Sequence, residues 1–242
     1  MAKLVGDNGQ AVGQPLFSSS ADKYHELGFR ATFGGRVFRY VQAGASALVV
    51  GNALQTQVED VDHDDVAVRA TALGATSILI TTGGSGGALD ENEYADGYAI
   101  IDTTPGLGYV YKIASHAAIA ASTDGALVLD GETVQVALTA SSKITLVANP
   151  YKKVIQHPVT TASGTCVGGA VYPIAASEYG WIQTGGPGAG LIAGTPGVGQ
   201  PVTSVGATAG ALSVHSAELN NVAYMMATGR SGKVCPVYWL LG

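Results

Sequence analysis

Charge is scarce in this sequence. Asp, Glu, Lys and Arg make up 12% of its 242 residues, about half the ordinary share of roughly 25%. Twelve Lys and Arg stand against 18 Asp and Glu, for a net charge of -6. No basic run extends beyond Lys152-Lys153, too small a footprint for a phosphate backbone, and nucleic-acid binding is discounted. No stretch approaches the roughly 18 apolar residues of a membrane-spanning helix, and Met1 to Asp7 has no apolar signal-peptide core. A membrane partner is therefore not expected. Cysteine is scarcer still: Cys166 and Cys235 lack metal-ligand spacing and read as buried free thiols in a reducing compartment.

What is abundant is glycine, with 34 residues, and apolar side chains, at 47%. Disordered chains lack apolar surface to bury, so this composition describes a folded, turn-rich protein. A surface that is small and neutral suits burial against neighbouring subunits. An Ala/Gly/Thr-rich monomer is the alternative.

Residues 1 to 28 carry Gly6, Gly9, Gly13, Pro15 and the run Ser18 to Ser20 with little periodicity, which predicts an extended arm. Leu16, Phe17 and Tyr24 are its apolar groups, available either to a neighbour or to the arm's own domain. From Phe29 the pattern becomes short strands. Phe29, Ala31 and Phe33 alternate, Gly34-Gly35 turns, and Arg36 to Gln42 runs out again as a hairpin. Ala47 to Val50, Val66 to Val68 and Ser77 to Ile80 follow. Asp130-Gly131, between Ala126-Leu129 and Glu132-Leu138, predicts a type I′ hairpin, and Ile144, Leu146 and Ala148 continue the period of two.

Further on, Tyr179 to Gln183, Pro201 to Thr203, Val222 to Met226 and Val234 to Leu241 read as strands, with turns around Gly188-Gly190 and Gly229-Gly232. Pro236 lacks an N–H, which predicts an edge or a bulge. Only Ala114 to Ser122 and Ser216 to Asn221 suit short helix. The expected fold is all-β, with short-strand barrel-like or sandwich-like lobes, little helix and the N-terminal arm. Its domains are residues 29–150 and a second lobe at 151–242, separate or packed as one unit. An internal echo runs through it. Arg39 to Gly44 matches Gly180 to Gly185, and Val50-Gly-Asn-Ala-Leu54 matches Val198-Gly-Gln-Pro-Val202, the mark of a duplicated β unit or of chance.

No motif supports catalysis. Gly83-Gly-Ser85-Gly-Gly87 satisfies G-x-S-x-G, but a nucleophile elbow needs a following helix and an α/β scaffold. Gly185 to Gly190 and Gly194 to Gly199 contain prolines and lead into strands, unlike phosphate loops. The acidic run Glu59 to Asp65 has Asp65 and Thr71 where an EF-hand needs Gly and Glu. His25, His63, His116, His157 and His215 are scattered, without zinc spacing. The expectation is no enzyme, no cofactor and no metal.

Gly35-Arg-Val-Phe-Arg-Tyr-Val-Gln-Ala-Gly44 with Ala47 to Leu54, and Tyr179-Gly-Trp-Ile-Gln-Thr-Gly-Gly186 with Gly194 to Gly199 and Ala209 to Ala211, resemble the decoration or cement proteins on the heads of tailed bacteriophages. The resemblance spans most of residues 29 to 242. It implies a structural virion protein on the capsid exterior, assembled in the host cytoplasm, often a homotrimer, whose arm reaches over major capsid protein subunits. Leu16, Phe17 and Tyr24 would then be partner-binding residues. Phage tail and fibre proteins share much of this composition; that alternative is binding of host-surface glycans, with Tyr179, Trp181 and Trp239 as stacking platforms.

Overall fold

Period-two alternation in short runs punctuated by glycine folds as β throughout. The computed structural model describes residues 4–6, 9, 12–159, 161–215 and 220–242. In chain order the strands are β1 (Val5–Gly6), β2 (Arg30–Phe33), β3 (Arg36–Gln42), β4 (Ala53–Gln55), β5 (Val66–Val68), β6 (Ser77–Thr81), β7 (Tyr98–Ile101), β8 (Val110–Ser115) and β9 (Asp124–Leu129). Then come β10 (Lys143–Val147), β11 (Ile155–Gln156), β12 (Cys166–Ala170), β13 (Tyr179–Ile192), β14 (Pro201–Thr203), β15 (Ser213–Val214), β16 (Ala223–Met225) and β17 (Lys233–Leu240). Among the described residues the only helical element is one 3-10 turn, Val61–His63.

The chain divides into residues 1–58 with 150–242, and residues 59–149. This corrects the expected boundaries at 29–150 and 151–242. The first strands pair with the last: Gln42 lies opposite Tyr179 in the β3 and β13 ladder, so the middle of the chain is an insertion.

The inserted unit is a closed six-stranded barrel in the order β10, β5, β6, β9, β8, β7. Closure removes its sheet edges. Alternate residues point inward, among them Val66, Val68, Ile78, Ile80, Ile113, Leu127, Ile144 and Leu146. Because β9 is already paired on both sides, by β6 and β8, the expected hairpin at Asp130-Gly131 has no edge to use. Residues 132–138 cross instead to 71–75, with Leu138 and Thr71 exchanging backbone bonds. Ala114 to Ser122 is no helix either: its start belongs to β8, and Ile119 bridges to Leu89.

The other unit is a tandem of two like halves that share a strand. The first runs β3, β4, β11, β12 and residues 179–185 of β13; the second runs residues 185–192 of β13, then β14, β15, β16 and β17. The pairings recur in register. Leu54 faces Gln156 and Gly168, as Val202 faces Val214 and Ala223. Ala43 makes a parallel bridge to Val154, as Ile192 does to Leu212. The His157 N–H donates to the Ala53 carbonyl at 3.0 Å, and the His215 N–H to the Pro201 carbonyl at 3.1 Å.

Both halves enter their second strand through a type II turn, whose third position needs positive φ. Asn52 N–H donates to the Val49 carbonyl across Gly51 (φ 83°), and Gln200 N–H to the Gly197 carbonyl across Gly199 (φ 76°). Ala43, Leu54, Val154, Val167, Ala170 and Ile182 fill one core where Ile192, Val202, Leu212, Val222, Met225 and Val237 fill the other. The barrel enters between β4 and β11, where the second half has only the short link from β14 to β15.

The echo in the sequence is therefore half duplication. Val50 to Leu54 and Val198 to Val202 are equivalent, but Arg39 to Gly44 and Gly180 to Gly185 include neighbouring strands, with Tyr40 directly opposite Trp181. Three local expectations also change. Ala47 to Val50 is a bridge at Leu48 and a turn, and Gly188-Ala-Gly190 continues β13. Residues 216–219 of the second expected helix lie outside the described residues. Pro236 sits inside β17, yet its carbonyl accepts from Met226 N–H just past the end of β16. Its missing N–H faces the Met226 carbonyl, so only the second bond of that end pair is absent and the ladder to β13 is intact.

Candidate interaction surface

The N-terminal residues expected as a free arm are packed on their own unit. Leu4, Leu16 and Leu27 join Ala31, Phe38, Tyr40 and Trp181 in one buried cluster. Gln14 fastens the segment: its side chain accepts from the Tyr40 hydroxyl at 2.6 Å and donates to the Tyr179 carbonyl at 3.0 Å, while its carbonyl accepts from Trp181 Nε1 at 3.1 Å. Ser20 and Tyr179 exchange backbone bonds. Burial raises the pKa of Tyr40 and lowers that of His25, which stacks on Phe29.

The three expected partner-binding residues thus separate. Leu16 is 1% exposed and anchors the segment inward, which corrects its assignment to a neighbour's surface. Phe17 and Tyr24 are 54% and 53% exposed. Tyr24 is nonetheless held in place, because its N–H donates to the Tyr40 hydroxyl at 3.1 Å.

A second surface was not foreseen from the sequence. In the first half of the tandem, the outward residues Phe38, Tyr40, Ala53, Trp181 and Gln183 are all buried. The N-terminal segment covers Phe38, Tyr40 and Trp181. The second half covers the rest: a Cβ at Gly169 would run into the Trp239 ring, and Ala53 belongs to the second half's core. In the second half the equivalent positions are Pro187, Ala189, Pro201, Pro236, Tyr238 and Tyr224. They are bare, or half-bare at Pro201. With Val234, Leu240 and Met226 they form one sheet face on which Tyr224 and Tyr238 lie directly opposite each other. The five large side chains are 41 to 48% exposed, and among the described residues no charged one stands on this face.

The remaining candidates do not converge. Ser85 sits in a tight turn closed by Gly87 N–H to the Gly84 carbonyl, with no helix after it. Asp60 caps the 3-10 turn by accepting from Asp62 N–H, and Asp65 lies 3.7 Å from Lys143. Among the described residues no three His, Cys, Asp or Glu side chains are grouped to hold a metal. His63 is buried and its Nδ1 lies 2.6 Å from the Tyr94 hydroxyl. Both cysteines are free, and burial pushes the Cys166 thiol up to about 11, so it stays protonated at neutral pH. Trp181 and Trp239 are core residues at 0% and 1% exposure, with no ring face to offer a sugar.

The chain matches no protein-family model, no curated protein and no solved structure. Its surfaces must be interpreted from their own chemistry.

Proposed function

We propose that this chain is a structural virion protein that decorates a bacteriophage capsid by binding major capsid protein subunits non-covalently. The observation that carries the reading is the N-terminal segment. Leu16, Gln14 and Trp181 immobilise it, while Phe17 and Tyr24 are turned outward. Aromatic groups held in place before binding lose little entropy when a partner covers them. The resemblance to head decoration proteins, the low charge and the all-β fold agree with this role.

The test uses purified capsids that lack the protein. Covering the exposed parts of Phe17 and Tyr24 is worth about 2 kcal/mol together, roughly 30-fold in affinity. Phe17→Ser with Tyr24→Ser is expected to lose co-sedimentation with capsids by about that factor while remaining folded. Unchanged binding refutes the assignment of these residues.

A further inference from the structure

We infer that the bare face of β13, β17, β16 and β14 is the docking surface for a second copy of this chain, with two copies packed face to face about a twofold axis. The inference is independent of the capsid reading. It concerns what the purified chain does alone.

The tandem itself supplies the first argument. Stacked repeats bury each outward face against the next unit, and the last unit needs a polar cap to be soluble. Here the first half obeys the rule, since its outward face is covered by the second half and by the N-terminal segment. The second half has the same face with Pro187, Ala189, Pro236, Tyr238 and Tyr224 uncapped and apolar. A position that is closed in one copy of a duplicated unit and open in the other is an end that lacks its neighbour.

The second argument selects the neighbour. In a twofold interface each patch meets itself, so any net charge it carries meets an equal charge of the same sign. For a chain of net charge -6, a face with no charged side chain among the described residues is suited to self-pairing. Strand addition by an extended foreign segment is disfavoured, because β17 is already bonded to β13 on one edge and β16 on the other. On β17 the face is available and the edges are not. The opposed Tyr224 and Tyr238 stand within it, where large aromatic side chains contribute most of the binding energy of an interface.

Area sets the strength. Eight residues of β13, eight of β17 and three each of β16 and β14, at about 4.8 Å by about 3.3 Å per residue, make a plane of about 350 Å². Two such planes bury roughly 700 Å², well below the ~1,600 Å² of a standard complex. The pairing is therefore reversible and depends on concentration.

Sedimentation equilibrium of the full chain from about 1 to about 200 µM is expected to show the mass rising from 24.4 kDa toward twice that value. Tyr224→Lys with Tyr238→Lys is expected to weaken association at least about tenfold, and so is Tyr224→Glu with Tyr238→Glu. Mixing the Lys and Glu proteins restores the pair, which only direct contact between copies of this face can do. Circular dichroism checks that each variant folds; should the tyrosine variants fail, Val234→Lys and Val234→Glu, at an exposed position, carry the same expectations. A wild-type chain that stays monomeric throughout overturns the inference. So does an oligomer, trimer included, indifferent to these charges, or folded Lys and Glu proteins that do not combine.

Discussion

If the barrel is a true insertion into one half of a duplicated unit, the uninterrupted half shows how short the connection can be. Between Thr203 of β14 and the bridge residue Leu212, the second half uses eight residues, Ser204 to Ala211. Between the equivalent Gln55 and Val154, removal of 59–149 leaves seven: Thr56 to Val58 and Pro150 to Lys153. Joining Val58 to Pro150 through one added glycine reproduces the length of eight. Loop closure scales as about (3/2)RT ln n, so shortening a fully flexible 98-residue connection to eight would stabilise the remaining unit by about 2 kcal/mol. With the barrel folded the connection is already short, and the change falls to about 1 kcal/mol or less. Both tryptophans, Trp181 and Trp239, lie in the remaining unit and none in the barrel. Tryptophan fluorescence in urea therefore reports that unit alone, with or without the insertion. The expected result is a cooperative transition within about 2 kcal/mol of the parent's. Solvent-exposed tryptophan fluorescence in the absence of urea would refute the equivalence of the two connections.

Two further expectations test the packing. Gly169→Val sets a side chain against the Trp239 ring, between the two halves of the tandem, and is expected to destabilise that unit by about 1 to 3 kcal/mol in the same assay. His157 has a lowered pKa, caused first by burial, with its Nδ1 near the Pro158 carbonyl opposing the shift. The folded state then binds fewer protons than the unfolded state, whose imidazole titrates near 6.5. The stability is present above about pH 6.5 and is lost as pH falls toward the folded value. His157→Gln is expected to flatten this acid-side slope in urea midpoints measured from pH 7.5 to 5, and an unaltered slope assigns it to other groups.

How much the sequence reveals follows from the distance over which each feature is determined. The hairpin of β2 and β3 was legible because Gly34 and Gly35 both adopt positive φ between alternating strands. The same kind of signal misled at Asp130-Gly131. The turn chemistry is local, but whether β9 has a free edge is decided by β6 and β8. The boundary error has a similar origin: β3 pairs with β13 across the whole insertion, and although 13 of the 18 acidic residues fall within 59–149, starting with the run at Glu59, a shift in charge does not say that the flanking segments pair. Leu16 could not be assigned inward because its cluster partners, Tyr40 and Trp181, lie far along the chain.

The bare face shows most clearly what position in a repeat adds to residue type. Val234, Pro236, Tyr238 and Leu240 alternate with Cys235, Val237 and Trp239, so β17 reads as an apolar run with no polar side. Such a run signals a strand buried on both faces. Only one side is buried within the chain: Cys235, Val237 and Trp239 face the core of the second half. The equivalent segment of β13 is buried on both, with Ile182 in one core and Trp181 under the N-terminal segment. β17 thus has the sequence of an interior strand at the end of a stack. A monomer that never met a neighbour there would be expected to alternate with polar residues, as half-buried strands do. The run of four apolar residues on the open side is the sequence's own record of a covered surface.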